Sequence, residues 1–164
     1  MPQIFQIELN IEDHDVCQLS ARSQDMPALN QGDFTFSKKI FVIDDEPFNI
    51  LGLKNILKLC FDRMKLPACT IDELVDTAYN GKEAVERIKQ ESRLGRSYAI
   101  VFMDCSMPFM DGYEACSQIR AHYSKTTQEQ PYVVACTGHS EEEFIRKAWQ
   151  SKMDEVIPKP AKYE

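Results

Sequence analysis

Short apolar runs alternate along this sequence with longer stretches in which apolar residues recur every three or four positions. The runs predict buried β-strands, and the periodic stretches predict amphipathic helices. The five predicted strands are residues 39–43, 74–78, 98–103, 132–136 and 155–157. Strands that alternate with helices at this spacing indicate an α/β domain, in which a parallel sheet is covered by helices on both faces.

Four helices are predicted between these strands, and turn or capping residues mark their starts. Pro47 opens the first helix, residues 80–83 cap the second, and the third runs from Gly112 to about His122. A capping box at Ser140 opens the fourth helix. The residues of this helix that we expect to face inward are Phe144, Ile145, Ala148 and Trp149.

One regular domain follows an irregular leading segment. At 164 residues the chain is long enough for one hydrophobic core. Residues 1–36 are polar, interrupted by Pro27, and hold six acids and one base, which is −5 of the total net charge of −7. We expect residues 1–36 to be a linker or a poorly ordered acidic arm, and residues 37–164 to be the folded domain. The alternative for residues 1–36 is a remnant of a preceding domain, or an arm docked on the main one.

The charge and the cysteines exclude several classes of protein. An acidic chain without a basic patch is not typical of a nucleic-acid binder. The six cysteines show no metal-ligand spacing, and the chain has neither a signal-peptide pattern nor a long apolar run. We therefore expect a cytoplasmic domain with reduced cysteines, which binds neither nucleic acid nor a membrane directly.

Polar residues stand at the carboxyl ends of four of the predicted strands. Asp44 and Asp45 follow the first strand, Asp104 the third, Thr137 the fourth and Lys159 the fifth. Right-handed crossovers bring these strand ends to one edge of the sheet, and open α/β sheets place their ligands at that edge. We therefore expect the five residues to form one site.

The chemistry of this cluster points to phosphoryl transfer. Three neighbouring carboxylates repel one another unless a cation joins them, and hard oxygen ligands suit Mg²⁺. An aspartate can form an aspartyl-phosphate, while a metal ion neutralises the charge on the transferring oxygens. Lys159 would supply a positive charge to a phosphate oxygen, Thr137 a hydroxyl donor, and Gly138 the room for the phosphoryl group. The cluster therefore predicts a phosphoryl acceptor with Mg²⁺ as its cofactor.

Five motifs, taken together and in order, give the sequence a family resemblance. They are residues 41–49, 77–84, 103–112, 135–138 and 158–160. This pattern resembles the receiver domain of two-component response regulators, and more narrowly the receivers of hybrid sensor histidine kinases. The resemblance covers residues 38–161. It implies a flavodoxin-like (CheY-like) doubly wound fold of five parallel strands in the order 2-1-3-4-5.

The resemblance also implies the roles of the acidic residues and the partners. Asp104 would accept a phosphoryl group from a phosphohistidine on a histidine kinase or a histidine phosphotransfer protein. Asp45 and Asp104 would bind Mg²⁺ directly, together with the backbone carbonyl of Ser106, and Asp44 would bind it through water. A second copy of the chain is a further candidate partner, because helix surfaces of many receivers mediate pairing.

The remaining implied roles concern the residues after the fourth and fifth strands. Thr137 would swing toward the phosphoryl group. Lys159 would contact that group, after pairing with Asp104 in the unphosphorylated state. The peptide bond between Lys159 and Pro160 would be cis.

Three features depart from the family pattern. The family's aromatic switch residue lies three positions before the lysine, where this chain has Val156, so the usual coupling of Thr137 to an aromatic ring is in doubt. Extra residues at 63–72 and 92–98 predict two enlarged loops. The chain ends at Glu164, where the family's last helix should begin, so we expect that helix to be absent or truncated. A partner or residues 1–36 would then cover the exposed apolar surface.

Two other functions stay open on the sequence. An aspartate-nucleophile phosphatase of the haloacid dehalogenase kind needs a second aspartate two residues after the nucleophile, where this chain has Ser106. A pseudo-receiver would keep the fold as a protein-interaction module without phosphorylation, although all five pocket residues are present. A true receiver would be a switch and not an enzyme. Near the site, Asp111 is expected to cap a helix, and His139 either lies exposed in a loop or tunes the access of water to the phosphoaspartate.

Overall fold

The computed structural model of the protein describes residues 38–63, 71–138 and 141–159. In chain order the elements are β1 (Lys38–Ile43), α1 (Pro47–Arg63), α2 (Ile71–Leu74), β2 (Val75–Ala78), α3 (Gly81–Arg93), β3 (Ser97–Asp104), α4 (Gly112–Tyr123), β4 (Tyr132–Thr137), α5 (Glu142–Gln150) and β5 (Glu155–Pro158). All strands run parallel in one sheet with the order β2-β1-β3-β4-β5. The predicted fold class and strand order are therefore confirmed.

Each face of the sheet carries its own apolar cluster, because successive residues of a strand point to opposite sides. The cluster on the α1 face includes Val42, Ile50, Leu57, Phe102 and Val134. The cluster on the opposite face includes Phe41, Ile88, Val101, Ile119, Val133 and Ala148. The two clusters hold helices against both sides of the sheet, and the carboxyl ends of the strands lie between these two layers.

Side-chain caps fix the starts of α3 and α4. The backbone N–H of Glu83 donates to Asn80 Oδ1 at 2.9 Å, and Glu83 accepts from the N–H of Tyr79 at 2.9 Å. The N–H of Glu114 donates to Asp111 Oδ1 at 2.8 Å. These contacts confirm the predicted cap of the second helix and the capping role of Asp111.

The start and the inward face of α5 differ from the prediction. Its N-cap is Glu141 and not Ser140. Because Ser140 lies outside the described residues, the capping box expected there stays a prediction. Trp149 is 50% exposed, whereas Ala148 is buried. Consecutive helical residues are about 100° apart, so a helix packed through Ala148 turns Trp149 toward solvent.

The enlarged loop expected at 92–98 is also wrong. Helix α3 continues to Arg93, and a turn of three residues leads into β3. Gly95 has a φ of 72°, and the N–H groups of Leu94 and Arg96 both donate to the carbonyl of Glu91, which closes the helix sharply. The other predicted loop, at 63–72, lies mostly outside the described residues, and the short helix α2 overlaps only its end. Leu74 therefore ends a helix instead of opening a strand.

Some expectations fall on parts of the chain that the structure does not describe. These are the acidic arm, the cis bond before Pro160, the missing last helix and the role of His139. Within the described ranges, no helix is both long and apolar enough to cross a membrane.

Candidate functional site

A buried ion-pair cluster lies at the carboxyl edge of the sheet. Asp44 follows β1, Asp104 ends β3, and Lys159 follows β5. The ammonium of Lys159 lies 2.6 Å from Asp44 Oδ2 and 2.8 Å from Asp104 Oδ1. Both aspartates are buried, and a buried charge is tolerated where an opposite charge meets it. The fold thus brings residues more than a hundred positions apart into direct contact.

Asp45 adds a third carboxylate to this cluster. Carboxylate oxygens of Asp44, Asp45 and Asp104 all lie within 4.8 Å of one another, and Asp45 is exposed where the other two are buried. Among the described residues of the cluster, three carboxylates accompany one ammonium, so negative charge exceeds positive charge. A compact set of hard oxygen donors with excess negative charge suits a divalent cation such as Mg²⁺. These residues fit the metal that the sequence predicts.

The loop after β3 holds Asp104 in one orientation. The N–H of Ser106 donates to Asp104 Oδ1 at 3.1 Å, so the two contacts that described residues make to this carboxylate both fall on Oδ1. A Cβ at Gly112 would lie 2.1 Å from the backbone oxygen of Asp104. Because only glycine fits there, the start of α4 packs directly against the end of β3. The ammonium of Lys159 and the N–H of Ser106 thus both hold Oδ1 of Asp104.

Thr137 and Gly138 complete the edge. Thr137 is buried at the end of β4, and its carbonyl accepts the N–H of Lys159 at 2.7 Å, which ties the two strand ends together. A Cβ at Gly138 would meet nothing within 4 Å, so there is open space beside Thr137. The structure therefore places all five sequence-predicted site residues at one edge. The metal role of the Ser106 carbonyl stays a prediction.

The titration of the cluster follows from its burial and its charges. Burial raises the pKa of Asp104 above its ordinary value, and the hydrogen bond from Lys159 offsets this only in part. Burial alone would lower the pKa of Lys159, but hydrogen bonds to Asp104 and Asp44 outweigh it, so that pKa is raised. Lys159 therefore stays protonated at neutral pH. The Asp104 carboxylate binds a proton more readily than a carboxylate on the surface does.

One contributor to the cluster escaped the sequence analysis. The side-chain amide of Asn49 donates to Asp44 Oδ1 at 3.0 Å, and the N–H of Glu46 donates to the same oxygen at 3.0 Å. The available signal was Pro47, which predicts the start of α1 and so puts Asn49 in the first turn, close to Asp44. An asparagine there is easily read as an ordinary polar residue of an exposed helix.

Val156 occupies the position of the family's aromatic switch residue. Val156 is partly buried and packs against the cluster on the face opposite α1. It lies beside Ala135 in the register of β4 and β5. A side chain of this size fills a core position and has no ring that could turn between buried and exposed orientations.

A doubly wound sheet with a lysine and three carboxylates at its carboxyl edge does not by itself define one class of protein, since one fold hosts many functions. Comparison with known proteins makes the class specific. The response regulator receiver domain matches residues 40–164. The chain belongs to this family, and so it is a receiver domain of two-component signalling.

Individual relatives agree with this assignment. Hybrid signal transduction histidine kinase A of Dictyostelium discoideum is 29% identical over 142 residues, which are 87% of this chain and 6% of that protein. The chain therefore spans only a small part of the length of this relative.

Solved structures share the fold. The receiver domain of the histidine kinase CKI1 from Arabidopsis thaliana, complexed with Mg²⁺, is 28% identical with a TM-score of 0.56, covering 76% of this chain and 85% of that one. The receiver domain of Saccharomyces cerevisiae Ssk1, solved with the histidine phosphotransfer protein Ypd1, is 23% identical with a TM-score of 0.58, covering 76% and 80%. At that identity the second likeness concerns the fold alone.

Proposed function

We propose that this receiver domain is a phosphoacceptor, in which Asp104 takes a phosphoryl group from a phosphohistidine in the presence of Mg²⁺. The observation that carries the proposal is the cluster at the carboxyl edge. There the Lys159 ammonium joins two buried carboxylates at 2.6 and 2.8 Å, and a third lies beside them. Such a cluster supplies a nucleophile, a fixed cation and the donors for a divalent metal ion.

The transfer step balances as follows. Asp104 Oδ2 attacks the phosphorus of the phosphohistidine, the new O–P bond forms, and the P–N bond breaks. The bonding pair returns to the imidazole nitrogen, which takes up a proton from water. Asp104 becomes an acyl phosphate, and Lys159 remains close enough to offset the charge of the phosphoryl oxygens.

Asp44, Asp45, Asp104 and the carbonyl of Ser106 would hold the Mg²⁺ ion, which would neutralise charge on the phosphoryl oxygens. The Thr137 hydroxyl would contact the phosphoryl group across the space beside Gly138. Movement of Thr137 toward the phosphoryl group would shift the segment that joins β4 to α5, and so alter the surface that α5 presents. The domain acts as a switch and not as an enzyme with a separate substrate.

The partner and the setting follow from the same chemistry. The phosphohistidine donor is a histidine kinase or a histidine phosphotransfer protein, the kind of partner that accompanies the Ssk1 receiver. The similarity to hybrid kinases supports a place in a phosphorelay on the cytoplasmic side of the cell. A second copy of the chain is a further partner to test by measuring the mass of the phosphorylated form in solution.

The test is incubation of the protein with acetyl phosphate and Mg²⁺, followed by intact mass. We expect a gain of one phosphoryl group, which is absent with chelator and absent in Asp104→Asn. A folded protein that gains no mass would favour the pseudo-receiver. Steady hydrolysis of phosphomonoesters would favour the phosphatase, although Ser106 occupies the position where that chemistry needs an acid.

A further inference from the structure

Both oxygens of the Asp44 carboxylate are occupied, and by different kinds of donor. Oδ2 meets the ammonium of Lys159 at 2.6 Å. Oδ1 accepts two neutral hydrogen bonds, from the N–H of Glu46 and the side-chain amide of Asn49, each at 3.0 Å. The donors on Oδ1 lie at the start of α1, whereas the donor on Oδ2 belongs to the segment after β5, far along the chain.

The covalent geometry of an aspartate does not select between its two oxygens, since rotation about Cβ–Cγ is broad and roughly two-fold. The ammonium of Lys159 ends a long flexible chain and attracts either oxygen equally. A fixed orientation therefore needs a directional donor on a rigid element. Asn49 lies in the first turn of a helix of 17 residues, and its amide reaches past the loop to Asp44.

We infer that Asn49 is a positioning residue for the cation site: its amide holds Oδ1 of Asp44 toward α1, and so aims Oδ2 at the cluster. Asn49 itself touches neither Asp104 nor Lys159 in the described contacts. The inference rests on the proposed function in one respect, because it takes Mg²⁺ to be the cation that the cluster binds. Outer partners of metal-binding carboxylates commonly change metal affinity by about tenfold or more when they are removed.

The test compares Asn49→Ala with a matched control, Asn55→Ala. Both residues are exposed asparagines of α1, so the two substitutions remove the same side chain from the same helix, and only Asn49 bonds to Asp44. Mg²⁺ affinity is measured by calorimetry without any phosphoryl donor. We expect about a tenfold weaker Mg²⁺ affinity for Asn49→Ala, and the wild-type affinity for Asn55→Ala.

Labelling by acetyl phosphate separates positioning from a direct part in the transfer. In Asn49→Ala the Mg²⁺ concentration that gives half the maximal rate should rise about tenfold, while the rate at saturating Mg²⁺ stays that of the wild type. A lower saturated rate with unchanged Mg²⁺ affinity would overturn the inference, because Asn49 would then act on the transfer itself.

A double variant tests whether Asn49 acts through Asp44. In an Asp44→Ala background, Asn49→Ala should cause no further loss of Mg²⁺ affinity, since the acceptor of its hydrogen bond is gone. An equal loss in both backgrounds, or no Mg²⁺ binding by the wild type, would refute the role. If the wild type binds Mg²⁺ and Asn49→Ala weakens it, but neither protein is labelled, then the phosphoacceptor function fails and the positioning role stands.

Discussion

The two edges of the sheet hold their charged groups in opposite ways. At the amino edge, Arg120 donates to the carboxylate of Asp154 and to the carbonyls of Pro131 and Lys152 at 2.8 and 2.9 Å. Asp154 also accepts the N–H of Val133 at 2.6 Å. At the carboxyl edge, the ammonium of Lys159 contacts Asp44 and Asp104, while the third carboxylate, Asp45, lies beside them.

A second cluster at the amino edge, around Asp76, also pairs its carboxylate with basic side chains, as Arg120 pairs with Asp154. Asp76 accepts the hydroxyl of Tyr98 at 2.8 Å and lies 3.4 Å from the ammonium of Lys39 and 3.8 Å from the guanidinium of Arg87. The acids of the amino edge are thus met by bases of the chain itself. Among the described residues, the carboxyl edge keeps an excess of negative charge, which an added cation would offset. The first arrangement stabilises the fold, and the second creates a binding site.

The largest effect that would sharpen this comparison is expected for Arg120→Ala. The substitution removes the Arg120 hydrogen bonds to two backbone carbonyls and to the carboxylate of Asp154. The unfolding free energy should therefore fall by about 3 kcal/mol in urea titrations. The rate at which acetyl phosphate labels the folded fraction should not change. Arg96→Ala is the control, because Arg96 pairs with Glu91 at the exposed surface and its loss should be far smaller. Equal losses from the two variants would contradict the structural role of Arg120.

At the carboxyl edge, Gly112→Ala should disturb both stability and chemistry. The new methyl group would lie 2.1 Å from the backbone oxygen of Asp104, so the loop must move, at a cost of about 2 kcal/mol. Labelling at Asp104 should slow as well. Gly52→Ala serves as the control, since a Cβ there meets nothing within 4 Å and alanine favours the helix. Full labelling of Gly112→Ala at the wild-type rate would refute the close packing of α4 on β3.

Mg²⁺ should stabilise the wild type through the carboxyl edge alone. At ten times the dissociation constant, the gain in unfolding free energy should be about 1.4 kcal/mol, and Asp104→Asn should lose most of it. Without metal, the same variant should be more stable than the wild type at neutral pH. Burial raises the pKa of Asp104. At pH values above the ordinary pKa of aspartate, the charged carboxylate therefore destabilises the folded state, and the neutral asparagine removes this cost. Chemical denaturation with and without Mg²⁺ measures both effects, and a gain that Asp104→Asn keeps in full would place the metal elsewhere.

The smallest effect concerns pH at the amino edge. Burial, together with Lys89, Arg93 and Lys125, lowers the pKa of His122. A lowered pKa means that the unfolded chain binds the proton more readily, so stability falls as pH drops through the ordinary histidine value of about 6.5. Because His122 is partly exposed, we expect only a few tenths of a kcal/mol between pH 7.5 and 5.5. Unfolding titrations of His122→Gln at both pH values should show a flatter profile, and an unchanged slope would contradict the assignment.

Much of the site could be predicted from the sequence because strand ends are marked by chemistry. A buried run that stops at Asp104 and another that stops at Thr137 predict one edge once the sheet is parallel. The tie from Asn49 to Asp44 could not be predicted, since it depends on how α1 leaves β1. Trp149 was misplaced for a related reason: the apolar pattern of α5 is wider than the face that Ala148 buries.

Backbone detail was equally hidden. Phe109 has a φ of 67° and is almost fully exposed, a conformation that its residue type disfavours. It lies in the loop that the close contact of Gly112 with Asp104 closes. The conformation of this loop depends on how the whole edge packs, so it could not be predicted from the local sequence.

The most direct test of the central claim is to locate the phosphoryl group. The protein is labelled with acetyl phosphate and Mg²⁺, the acyl phosphate is reduced with borohydride, and the peptides are mapped by mass spectrometry. The account predicts modification at Asp104 and at no acid of the amino edge, neither Asp76 nor Asp154. Modification at another carboxylate, with Asp104 intact, would contradict it.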